Sequence, residues 1–60
     1  MKYSELYKIL ERDGWYIDRT KRHYIYIHPT KKGIIPVGRH SSEEVKSGTL
    51  NSILKLAGLK

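Results

Sequence analysis

Apolar side chains recur along the chain with two different periods, and the change of period predicts the order of elements. From Ser4 to Asp13, Leu6, Ile9 and Leu10 fall at helical spacing, with Tyr3 on the same side. Ser4 is placed to cap this helix, its hydroxyl accepting from a free N–H of the first turn, and Glu5 lies at the favourable positive end of the dipole. Gly14 ends the helix, because a helix C-terminus calls for left-handed backbone, and the cap brings Trp15 back toward Leu10 as a core anchor. The period then shortens to two. Trp15 to Arg19 predicts a strand with Trp15, Ile17 and Arg19 on one face and Tyr16 and Asp18 on the other. Thr20-Lys21-Arg22 forms a turn. His23 to His28 carries the strongest strand signal, since Tyr24, Ile25, Tyr26 and Ile27 are all β-branched or aromatic. Pro29-Thr30-Lys31-Lys32-Gly33 is a second turn, and Ile34 to Val37 a third strand. Pro36 has no N–H to give to a ladder, which assigns that strand to a sheet edge.

Ser41-Ser42-Glu43-Glu44 has the capping-box spacing and predicts one helical turn. Gly48 to Ala57 is the second long helix, capped by Ser47 or Gly48, with Leu50, Ile53, Leu54 and Ala57 as its apolar stripe. Gly58 repeats the earlier ending and turns Leu59 toward Leu54. The order is α-β-β-β-α. Short connections make the fold α+β, a three-stranded antiparallel meander with both helices on one face. The middle strand is apolar on both sides, with Ile25 and Ile27 on one and Tyr24 and Tyr26 on the other. A two-layer core needs only one of these pairs. The pattern leaves open which pair is buried, and whether the surplus one meets a protein partner or is simply exposed.

Sixty residues predict one domain, 1–60, with no room for an enclosed cofactor cavity, so no cofactor is expected. The chain has no cysteine, which removes disulfides, thiolate metal sites and cysteine nucleophiles. The three histidines lack metal-ligand spacing, so no metal site is expected. No apolar run spans a bilayer and no secretory pattern opens the chain, which predicts a soluble cytoplasmic protein. Charge changes the picture further. The formal net charge is +6, and the whole excess lies between Arg19 and His40. That stretch holds Arg19, Lys21, Arg22, Lys31, Lys32 and Arg39, all three histidines and no acid. A field of this sign attracts polyanions, nucleic acid first among them.

Within that stretch His23 follows Lys21-Arg22 at the start of the central strand. A neutral imidazole there could take the proton of an RNA 2′-hydroxyl as it attacks the adjacent phosphorus. Arg19, Lys21 or Arg22 could stabilise the charge on the phosphorane-like state. The residues alone favour an ordinary strand histidine. His28, next to Pro29, has the position of a packing or capping residue, and His40, beside Arg39, that of a phosphate contact or an exposed loop side chain.

Taken together these segments resemble the HicA toxins of HicA–HicB toxin–antitoxin modules. The resemblance rests on Asp13-Gly14-Trp15-Tyr16 after the first helix, then Arg19, then the run from His28 to Gly33, and Ile35, Val37 and His40. Its most specific part is the closing segment from Lys46 to Leu59, with Gly48-Thr49-Leu50, Ser52-Ile53-Leu54-Lys55 and Ala57-Gly58-Leu59. The resemblance implies a fold like that of double-stranded-RNA-binding domains, cleavage of mRNA as a metal-independent endoribonuclease, and a HicB-type antitoxin that covers the active histidine. Contact with DNA is implied only indirectly, through the antitoxin. The catalytic position of the family falls on His23; the charge pattern itself supplies Arg19, Lys21, Arg22, Lys31, Lys32 and Arg39 as candidate RNA-binding cations. Lys21-Arg22 stands where the family has Gly-Ser. Two other readings stand beside the enzyme: a double-stranded-RNA-binding module that does not cut, and an inactive toxin acting mainly through its antitoxin.

Overall fold

The computed structural model describes all 60 residues. Its elements are α1 (Tyr3–Arg12), β1 (Tyr16–Thr20), β2 (His23–Ile27), β3 (Ile35–Gly38) and α2 (Ser47–Leu56). The strands form one antiparallel sheet in the order β1-β2-β3, so Pro36 lies on an edge strand as its missing donor requires. No helix is long and apolar enough to cross a membrane.

Both helices end in the same way. Gly14 and Gly58 have φ of 105° and 75°, backbone that glycine reaches without a Cβ penalty. Gly14 N–H donates to the Glu11 carbonyl and Trp15 N–H to the Leu10 carbonyl, each at 3.0 Å. Gly58 and Leu59 repeat the pair toward Lys55 and Leu54, at 3.1 and 2.9 Å. These paired bonds satisfy helix carbonyls that would otherwise be orphaned. In α1 they also drive Trp15 into the core, where it is 1% exposed.

The helix N-termini depart from the sequence reading. Ser4 does not cap α1. The helix starts at Tyr3, with Lys2 at the cap position. Its free N–H groups are met from outside: Tyr3 N–H donates to the Glu43 carbonyl at 3.0 Å and Ser4 N–H to the Ser41 carbonyl at 3.1 Å. The segment 41–44 is therefore a turn rather than a helical turn, and Lys2 and Glu44 form an isolated bridge. Docking this turn on α1 buries Val45, a core residue the periodicity did not single out. Likewise α2 begins at Ser47 behind Lys46.

Leu6, Leu10, Trp15, Tyr26, Ile35, Val37, Val45, Ile53 and Ala57 form the core between the helices and one sheet face. Each aliphatic side chain fully withdrawn from water contributes about 1.5–3 kcal/mol. The register decides the question the pattern left open. Tyr24 pairs with Val37 and Tyr26 with the buried Ile35, so the tyrosines face the helices. Burial pushes the Tyr26 phenol up to about 12 and raises that of Tyr7 above its ordinary value, so both stay neutral. Ile25 pairs with Pro36 and Tyr16 with Ile27, all on the face without helices.

Candidate RNA-facing site

His23 opens β2 opposite Gly38 and shares the helix-free face with Ile25. Its side chain is exposed. Lys21 and Arg22 form the connection just before it, and Lys21 N–H donates to the His23 carbonyl at 3.1 Å. No non-glycine residue has positive φ, so this connection closes without a glycine.

The neighbouring strand end is tied to the same spot. Arg39 Nη1 donates to the Lys21 carbonyl at 2.7 Å, and the guanidinium lies 5.7 Å from the centre of the Tyr24 ring. A cation over an aromatic face is attracted by its quadrupole, so Arg39 is drawn to the helix side of the sheet, which Tyr24 faces, as well as to the turn. Tyr7 of α1 donates its hydroxyl to the Gly38 carbonyl, fixing the end of β3 from behind. One end of the sheet thus carries Lys21, Arg22 and His23, with Arg39 tied to the same turn from the helix side. A phosphate beside His23 would meet flexible ammonium and planar guanidinium donors together.

Arg19 reaches the face of His23 by a different route. The β1–β2 register slips between Ile17 and Arg19. Ile17 pairs with Tyr26, on the helix side, while Arg19 pairs with Ile25, on the open side. The sequence reading placed Arg19 with Trp15 and Ile17. The β-bulge overturns that alternation, because one extra residue reverses every side chain beyond it.

The remaining residues lie elsewhere. β2 rises about 3.3 Å per residue, which puts its two ends well apart. Lys31 and Lys32 follow the far end of β2 from His23. Lys31 Nζ donates to Asp13 Oδ2 at 2.5 Å and to the Ala57 carbonyl at 2.8 Å, tying the C-termini of the two helices together. Lys32 is exposed in the loop. His40 is also exposed, with its ring edge-on to Tyr3 of α1 at 6.4 Å.

His28 is a packing residue, as its position beside Pro29 suggested. Its Nδ1 accepts from the backbone N–H of Thr30 and of Lys31, both at 3.1 Å. That leaves the proton on Nε2, which donates to the Asp13 carbonyl at 2.7 Å. The ring also stands edge-on to Trp15 at 5.1 Å.

The Lys31 ammonium bonded to Asp13 holds that carboxyl below its usual range. A depressed carboxyl adds stability that is complete above the ordinary carboxylate pKa and is lost as pH falls through the folded value. Lys31→Met is therefore expected to lower the melting temperature at neutral pH and to flatten the loss of stability below about pH 4. Melting curves of both proteins over that range test this. A gap that stayed constant into strong acid would remove the pair as its cause.

The family profile described as "HicA toxin of bacterial toxin-antitoxin" matches residues 3–59. The chain belongs to the HicA toxin family. A search of curated proteins finds no match to this chain. Membership fits the α-β-β-β-α order and gives the exposed histidine and its cations a setting: a toxin of a toxin–antitoxin system.

Two features of this HicA toxin were not visible in the sequence. Asp18 turns toward the same open face as Arg19, and Tyr7 supports the strand end beside His23. Nothing in Ile17-Asp18-Arg19 marks a bulge. Tyr7 read only as part of a helix, although its four-residue spacing from Tyr3 could have placed it on the sheet-facing side.

Proposed function

We propose that this HicA toxin cuts mRNA as a metal-independent endoribonuclease with His23 as general base, and that a HicB-type antitoxin silences it. The observation that carries the reading is the exposed His23 on the helix-free face, directly after Lys21 and Arg22, with Arg19 on the same face. The imidazole takes the proton of the 2′-hydroxyl. The 2′-oxygen attacks the adjacent phosphorus, a 2′,3′-cyclic phosphate forms, and the 5′-oxygen of the next nucleotide leaves and takes up a proton. The cations offset the negative charge that gathers on the equatorial phosphate oxygens, which is where a fixed positive field lowers the barrier most.

The antitoxin has a surface suited to it. Tyr16, Ile25, Ile27, Ile34 and Pro36 put apolar area on the open face, with Tyr16 49% and Ile34 60% exposed. A protein covering this area also covers His23, so inhibition by occlusion needs no change of shape in the toxin.

Incubating RNA with the purified protein in EDTA tests the proposal. Shortened products are the expected result. A shifted but intact RNA band would replace the enzyme with a binding module.

A further inference from the structure

We infer that the depression formed by Asp18, Arg19, Lys21, Ile25 and Ile34 is a nucleotide subsite that favours a base carrying an exocyclic amino group. The inference rests on the ribonuclease reading and extends it to base recognition. The depression is about 260 Å³, open to solvent on the helix-free face. It is small for a drug-sized ligand or a docked helix.

The bulge builds it. In a regular strand consecutive side chains point to opposite faces. Asp18 and Arg19 are consecutive, yet both line this one depression. Bulges re-aim side chains in this way beside functional sites. The result joins three chemistries. Ile25 and Ile34 provide apolar surface on which a base can lie. Arg19 and Lys21 provide positive charge for a phosphate. Asp18 provides an acceptor. Its Oδ2 takes the Arg19 Nε–H at 3.1 Å, and Oδ1 has no partner. A nucleotide presents an anion, a flat apolar face and a polar edge together, so one molecule answers all three.

The carboxylate sets the preference. The exocyclic amino groups of cytosine, adenine and guanine can donate to Asp18. Uracil offers only N3–H, flanked by two carbonyl oxygens that a carboxylate repels. Ile25 lies two residues from His23 on the same face of β2, so a base held here belongs to a nucleotide next to the phosphate at His23.

NMR titration of the wild-type protein with CMP, AMP, GMP and UMP tests the subsite without requiring any cleavage. Expected are shifts in the Arg19 and Ile25 amides and the Ile25 and Ile34 methyls, with UMP bound about five- to thirty-fold more weakly than the others. Asp18→Asn should bring the four affinities together, because an amide offers both a donor and an acceptor. Equal binding of all four by the wild type overturns the inference, as do shifts confined to other residues. A depression silent to every nucleotide, but shifted by the antitoxin, overturns it too and assigns the surface to protein docking. Base-selective shifts in a protein that fails to cut RNA in EDTA would sink the ribonuclease and leave the nucleotide site standing.

Discussion

His23→Ala is expected to lower RNA cleavage by roughly 100- to 10,000-fold, the usual contribution of a positioned general base. Growth arrest on expression should disappear with it. The fold should survive, because the side chain is exposed and lies outside the core. Exposed substitutions of this kind change stability by no more than about 0.5 kcal/mol. Cleavage rates on a defined RNA and a thermal melt of the same preparation give both readouts. A variant that cut RNA at the wild-type rate would end the assignment of the base to His23, and the cations would then need another partner. Tyr26 and Tyr7 would be poor replacements, since burial raises both phenols and both lie on the helix side of the sheet.

The site was legible where chemistry is local to a few residues and illegible where it depends on register. His23 after Lys21-Arg22 could be read as a histidine among cations from the sequence itself. The two helix ends could be read as well, because a glycine after an amphipathic run has one dominant physical use, and Gly14 and Gly58 show it with matching bond pairs. By contrast, a Ser-x-x-Glu pattern predicts a helix only if no other acceptor competes. Here the carbonyls of Ser41 and Glu43 are taken by the first turn of α1, so the segment serves another helix instead of starting its own. Ser4 lost its capping role to the same contacts. The buried face of β2 was undecidable in the sequence because both faces are apolar, and only pairing with Ile35 and Val37 selects the tyrosines. The bulge at Asp18 left no mark in composition or periodicity, yet it moves Arg19 to the face that carries His23. A strand read as strictly alternating places one cation of the site on the wrong side.

The two histidines of the central hairpin should respond to the same substitution in opposite ways. His28→Ala is expected to destabilise the fold by about 2–4 kcal/mol, since a part-buried group left unpaired costs about 1–3 kcal/mol and ring packing is lost besides. Three hydrogen-bonding groups lose their partner: the N–H of Thr30, the N–H of Lys31 and the carbonyl of Asp13. The His28 ring is 8% exposed, so its removal also takes away buried packing. Opening the loop also frees Lys31, whose ammonium joins Asp13 to the end of α2, and uncovers Trp15. A protein of this size has roughly 3–9 kcal/mol of total stability, so the loss would remove a large share of it. Gly14 shows how closely the node is fitted, because a Cβ there would stand 2.8 Å from His28 Nε2. Urea or thermal unfolding of His23→Ala and His28→Ala side by side gives the comparison. Equal stability losses in the two variants would show that the loop around His28 carries no such load. A large loss confined to His28→Ala would mean that His28 holds the sheet on which His23 is presented.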